Sequence, residues 1–167
     1  MSTPLHDQVY ARLRRALVTG RFVPGRAVTL RGLAEELGVS SMPVREALRR
    51  LSAERALDVS LTRRVQVPTM SRERFDELMT ARQLLEGEAA GRALEYVDRT
   101  RLAEMRAADA GINRALASGD VEGYMEGNHR FHFLLYSAGP SQVLVPLIES
   151  LWLQFGPFMR SVYGRVG

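Results

Sequence analysis

Three short patterns in this chain place reactive side chains at helical spacing. Met42, Arg45 and Arg49 stand three and four residues apart, with Ser41 beside them, so one edge of a helix would present two guanidinium groups next to small or flexible neighbours. Arginine can bond guanine O6 and N7 through two donors, and the amides at a helix start favour a phosphate. The alternative for two arginines alone is a solvated face. Arg82 and Glu86, four apart, fall on an apolar stripe; they read either as an internal ion pair or as a guanidinium lining a cavity, where its fork would hold a carboxylate effector. Asn128 and His132 repeat that spacing on another stripe and could converge on one ion or one water. A lone histidine on an apolar face is otherwise a hydrogen-bonded core residue. His6 and His129 read as surface residues. With no activated nucleophile and no third ligand, a metal-assisted hydrolase is the weakest reading, and an enzyme is not expected.

Helices must carry these groups, and the spacing predicts them. Leu5, Val9, Leu13, Ala16 and Leu17 define an amphipathic helix ended by Gly20. After Pro24-Gly25, Thr29 is the N-cap of a second helix that turns Leu33, Ala34 and Leu37 inward and ends at Gly38. Ser40 then caps a third, with Val44, Ala47, Leu48 and Leu51 inward and Pro43 tolerated in its first turn. The very short turn between these two helices is what a helix-turn-helix requires. Leu57, Val59 and Leu61, then Thr62-Arg63-Arg64, then Val65 and Val67 read as a two-stranded hairpin with a basic tip. Such a wing can reach neighbouring phosphates or the minor groove.

The stretch Leu30 to Leu51, LRGLAEELGVSSMPVREALRRL, preceded by GRFVPG, resembles the winged helix-turn-helix of the GntR family of bacterial transcription regulators over residues 5–70. By position, the resemblance implies DNA contacts from Arg31, Ser40, Met42 and Arg45. It departs from the family pattern at Ser41, where arginine is usual, and at Arg64, where the wing turn usually has glycine, so a positive φ there would be strained. Arg63 and Arg64 would compensate by their charge.

From Ser71, an N-cap with Glu73 in the first turn, the chain reads as helices only. Phe75, Leu78, Leu85 and Ala89 form one stripe; Leu102, Met105, Ile112 and Leu116 form the next, ended by Gly119; Asp120 caps a third running to Gly139. A fourth carries Leu144, Leu147, Ile148, Leu151 and Phe155 before Gly156-Pro157 bends it. ARQLLEGEAAGRA (Ala81 to Ala93) and NHRFHFLLYSAG (Asn128 to Gly139) are similar to the all-helical effector domain of the FadR subfamily, the FCD domain. The resemblance implies effector binding by Arg82 and Glu86. It also implies a divalent metal, zinc or nickel, at Asn128 and His132, for which metal-binding members supply two later histidines. No histidine follows His132, and the helical half is expected to be incomplete at its C-terminal end.

Composition agrees with two unlike halves. The 167 residues contain no cysteine, which excludes a disulfide scaffold, a Cys-ligated zinc finger, an iron–sulfur cluster and a cysteine nucleophile. All 23 basic residues are arginine, against 19 acids, for a net charge of +4. Residues 1–70 hold 12 arginines and 6 acids, hence +6; residues 71–167 hold 11 and 13, hence −2. The longest apolar run, Val143 to Phe155, is interrupted by Pro146, Glu149 and Gln154, short of the roughly 18 residues of a membrane span. MSTPLHDQVY lacks the layout of a signal peptide, so a cytoplasmic location is expected, with no membrane partner.

The expectation is therefore a mainly α chain. Residues 1–70 form a winged helix-turn-helix with a small two-stranded wing, and residues 71–167 an all-α bundle for effector binding and dimerisation. It would be a homodimeric transcription regulator on a roughly palindromic double-stranded DNA operator, answering a small-molecule carboxylate effector. The alternative is a non-switching dimeric DNA-binding protein whose helical half only dimerises.

Overall fold

The computed structural model describes residues 3–60 and 64–166. In chain order these form α1 (Leu5–Val18), β1 (Val28–Thr29), α2 (Leu30–Leu37), α3 (Ser41–Ala53), β2 (Asp58–Val59), β3 (Arg64–Gln66), α4 (Arg72–Ala93), a 3-10 turn (Leu94–Tyr96), α5 (Arg99–Ser118), α6 (Val121–Tyr136) and α7 (Leu144–Val166). No helix among the described residues is long and apolar enough to cross a membrane.

The head assembles around the inward faces that the spacing predicts. Val9, Leu13 and Leu17 of α1, Leu33 and Ala34 of α2, and Val44, Ala47, Leu48 and Leu51 of α3 converge in one buried cluster. Thr29 caps α2 by accepting the Gly32 N–H at 3.0 Å. Gly38, at φ 68°, reverses the chain just past α2, a left-handed conformation that a Cβ would strain. Ser40 is extended ahead of α3, but its side chain makes no cap hydrogen bond, unlike the expected cap. At the other end of α3, Arg55 occupies the left-handed region at φ 58°. There the Arg55 N–H bonds Ser52 O and the Ala56 N–H bonds Leu51 O, both at 3.0 Å; this reversing turn usually takes glycine.

The wing has a third strand beyond the two expected. β3 pairs antiparallel with β2 (Asp58↔Gln66, Val59↔Val65) and, on its other edge, with β1 (Val28↔Val65, Thr29↔Arg64), giving the order β1-β3-β2. A two-residue strand has no alternation for sequence reading to detect. The basic tip differs as well: Arg64 opens strand β3, and its N–H bonds Ser60 Oγ at 3.2 Å.

In the helical half, Ser71, Asp98 and Asp120 cap α4, α5 and α6 by accepting the N–H groups of Arg74, Arg101 and Gly123. The stripe expected to seat α5 is corrected. Leu102 and Leu116 are exposed, while Ala108 and Ala115 are buried. The reason is a close helix approach through small residues: a Cβ on Gly127 of α6 would lie 2.9 Å from Ile112 Cγ1. Leu147 is likewise exposed. α7 runs on through Gly156-Pro157 to Val166 as one helix, with Pro157 inside it.

The two halves are docked. Leu153 of α7 is fully buried and belongs to the head's apolar cluster. A Cβ on Gly156 would meet Leu17 O at 2.8 Å and Val18 Cα at 2.9 Å, so the end of α1 lies directly on the α7 backbone. Three head arginines reach across to glutamates: Arg14 Nη2 to Glu149 Oε2 at 3.1 Å, Arg15 Nε to Glu126 Oε1 at 2.8 Å, and Arg21 to Glu122. These pairs are partly exposed, worth roughly 0–1 kcal/mol each, whereas a buried leucine such as Leu153 is worth roughly 2–5 kcal/mol over alanine.

Candidate nucleic-acid interface and the buried network of the helical half

α3 buries one face against α1 and exposes the opposite edge. On that edge lie Ser41, Met42, Arg45 and Arg49, with Met42 71% exposed although it is apolar. Among the described residues Arg45 has neither an ion-pair nor a hydrogen-bond partner, so its five N–H donors are free for a ligand. Arg49 is held by Glu46, Nη2 to Oε1 2.7 Å, one turn back on the same helix. Its guanidinium keeps the Glu46 carboxyl below the ordinary range. Arg31, at the start of α2, is similarly tied to Glu35 at 2.8 Å. Both pairs are exposed, and a phosphate can compete for either arginine.

β1 brings the wing beside α2. Because Thr29 is the register partner of Arg64, Arg31 follows two residues after a strand that pairs with the wing. Arg64 is exposed. Arg63, the other wing arginine singled out from sequence, lies outside the described residues. Ser40 stands exposed at the entrance to α3. Behind this surface the half-buried Arg50 turns back onto α1, where Arg50 Nη1 bonds Asp7 Oδ1 at 2.7 Å and its guanidinium lies over the Tyr10 ring at 3.7 Å. Burial and the bond to Glu54 push the Tyr10 hydroxyl up to about 12. Sequence reading passed over this anchor, since nothing in the local spacing of Arg50 marks its partner on α1.

In the helical half, Arg82 and Glu86 are each 13% exposed and form an ion pair, Nε to Oε1 2.6 Å. Glu86 also accepts the Trp152 Nε1–H at 3.0 Å and the Tyr136 hydroxyl at 2.7 Å. The Arg82 guanidinium lies over the rings of Trp152 and Phe155, at 4.8 and 4.6 Å. One carboxylate therefore ties α4 to α6 and α7, and the arginine is occupied on its edge by charge and on its face by aromatic rings.

His132 joins the same network, with Nδ1 3.0 Å from Tyr136 Oη. Tyr136 gives its single proton to Glu86, so it must accept from His132 Nδ1–H; Nε2 is left as the acceptor. Burial and Arg82 hold His132 below its ordinary pKa, against the opposing pull of Glu86. Asn128 is half-buried one turn earlier. Zinc sites take four ligands, and among the described residues no three His, Asp or Glu side chains gather to share an ion. The expectation of zinc or nickel on Asn128 and His132 therefore finds no complete donor set.

His129 corrects the surface reading given to it. Its ring stacks on Phe133 at 4.2 Å and meets the edge of Trp152 at 5.5 Å. Burial, with smaller contributions from Arg14 and His132, pushes it down to about 4. The reading failed because α6 contacts α1, α4, α5 and α7, so it has no single solvent face. His6 is exposed, as expected.

Comparison with known proteins agrees with these two halves. Residues 5–67 match the family described as bacterial regulatory proteins, gntR family, and residues 77–167 match the FCD domain. The chain is similar to the HTH-type transcriptional regulator McbR of Escherichia coli (strain K12), 33% identical over 95% of this chain and 72% of that protein. It is also similar to an uncharacterized HTH-type transcriptional regulator, YdhC of Bacillus subtilis (strain 168), 28% identical over 88% of this chain and 66% of that one. Among solved structures, E. coli McbR/YncC superposes with a TM-score of 0.93 at 32% identity, covering 99% of this chain and 78% of that one. A putative transcriptional regulator GntR from Rhodococcus sp. RHA1 reaches 0.76 at 25% identity, covering 95% and 76%. A helix-turn-helix head with a free arginine edge, followed by a helical half that matches the FCD model, thus has its family: the chain belongs to the GntR family of bacterial transcription regulators, a family of non-enzymes, with an FCD domain after its winged head.

Proposed function

We propose that this chain binds double-stranded DNA as a homodimer, each subunit setting α3 in a major groove of one half of a roughly palindromic operator. The observation that carries this is the outer edge of α3, where Arg45 is exposed and unpaired among the described residues beside the exposed Met42. Arg45 reads a base edge; Ser40, Ser41 and the amides at the start of α3 meet a phosphate; Arg49, Arg31, Arg63 and Arg64 hold the flanking backbone. The division of charge, +6 on residues 1–70 and −2 on residues 71–167, supports this placement. Selection of duplexes from a random pool by the purified chain tests it. Enrichment of an inverted repeat is the expected outcome, and enrichment of no common sequence contradicts it.

The helical half dimerises and answers a small acidic effector, which shifts the relative placement of the two heads. Arg82 and Glu86 take part in effector binding only if an incoming carboxylate replaces Glu86 on the Arg82 fork, because that fork is already filled. The same closed pair favours a second reading, in which the helical half only dimerises. A thermal-shift titration with carboxylates separates the two, since an effector that binds the folded chain raises its midpoint by linkage.

A further inference from the structure

A cleft of about 870 Å³ opens between α1 of the head and the α5–α6 hairpin of the helical half, inside the roughly 300–1,000 Å³ range of small-molecule sites. Its walls include Ala108, Gly111 and Ala115, which leave room for an apolar body. Three acids reach it, and each is committed: Asp120 caps α6, Glu126 takes Arg15, and Glu149 takes Arg14. Arg114 and Arg130 also line it, and among the described residues neither guanidinium has an ion-pair or hydrogen-bond partner. The uncommitted charge in the cleft is therefore positive on both counts. His129 lines the same wall. Its ring nitrogens have no hydrogen-bond partner, yet no buried polar side-chain atom among the described residues is left unsatisfied, so those nitrogens face accessible space.

We propose that this cleft binds a small anionic molecule, a carboxylate or phosphate on an apolar body, with Arg114 and Arg130 on the anion and His129 offering a neutral hydrogen bond. The proposal rests on the ligand-responsive reading above and places the ligand away from Arg82. A molecule seated here touches α1 and the α5–α6 hairpin together, next to Arg14–Glu149 and Arg15–Glu126, which join head to body. It makes all of these contacts only while the two halves are docked, so occupancy favours the docked arrangement and holds the head at one angle.

The test is a fluorescence titration with 1-anilinonaphthalene-8-sulfonate, an anion on an apolar body, followed by competition with succinate and with inorganic phosphate. The unaltered chain should show one saturable dye site. The Arg114→Gln/Arg130→Gln chain should bind the dye about tenfold more weakly or worse, as expected for lost charge-assisted hydrogen bonds. Ala107→Phe, which puts a ring into the cleft from an exposed position, should weaken it as well, and decides the matter alone if the double variant does not fold. Displacement by succinate or by phosphate identifies the anion class. Displacement by neither, or unchanged dye affinity in the folded variants, overturns the proposal. Both variants should retain DNA binding. Unchanged dye affinity with intact DNA binding removes only the cleft, whereas absence of DNA binding by the unaltered chain removes the regulator reading itself.

Discussion

Gly156→Ala probes the seam between head and body with one added carbon. The new Cβ would lie 2.8 Å from Leu17 O and 2.9 Å from Val18 Cα, about half an ångström inside ordinary contact. Both neighbours are backbone, so no side chain can rotate away. Overpacking of this kind costs roughly 1–3 kcal/mol, while replacing glycine by alanine inside a helix returns roughly 1 kcal/mol. The net expectation is a loss of about 1 kcal/mol, and with it a lower midpoint by roughly 2–4 °C for a chain of this size. Gly87→Ala on the exposed side of α4 is the control, since nothing lies within 4 Å of its added carbon; it should stabilise by roughly 1 kcal/mol. Urea unfolding of both variants, followed by circular dichroism and by the fluorescence of Trp152, gives the difference between them, which isolates the overlap. If Gly156→Ala stabilises as much as Gly87→Ala, α1 does not rest on α7 and the docked arrangement is wrong.

Glu86→Ala should destabilise by roughly 3–5 kcal/mol in urea unfolding, because Arg82 is left charged between two aromatic rings and the Tyr136 and Trp152 donors lose their acceptor; a loss below about 1 kcal/mol contradicts the network's role. His129 is pushed down to about 4 in the fold against about 6.5 unfolded, so the unfolded chain binds the extra proton and stability should fall as pH drops from 6.5 towards 4. His129→Phe should flatten that slope, and an unchanged slope contradicts the burial of His129. Arg55→Gly should raise stability by roughly 0.5–1 kcal/mol, since glycine takes φ 58° without a Cβ penalty; a thermal melt that falls instead would show Arg55 side-chain contacts outweighing the strain.

The head was legible because its signals are local. Thr29, Gly38 and the inward residues of α1, α2 and α3 each act within a turn or two of the chain, and the structure uses them at those places, except Leu5 at the start of α1, which is exposed. The ion pair of Arg82 with Glu86 was legible for the same reason, being one helical turn long. What sequence reading could not reach depends on other elements. Trp152 and Tyr136 complete the Glu86 network from α7 and α6, far along the chain. Leu153, which is not part of the stripe expected of the fourth helix of the helical half, fills the head's core. Leu102 and Leu116 carry the periodicity of a buried face, but Ala108, Ala115 and Gly127 let α5 and α6 approach so closely that the small residues form the contact. The cleft has no signature in either half, because its walls come from both.

The central claim is that the outer edge of α3 reads DNA, and Arg45→Ala on the duplex selected by the unaltered chain tests it most directly. The Arg45 side chain is exposed and makes no ion pair or hydrogen bond among the described residues, so its removal should leave the thermal midpoint in place. Affinity for that duplex should fall about 5- to 150-fold, the loss of one good base contact of roughly 1–3 kcal/mol, with preference relaxed at one base pair in each half-site. Affinity within about threefold of the unaltered chain, at the same salt concentration, would contradict it.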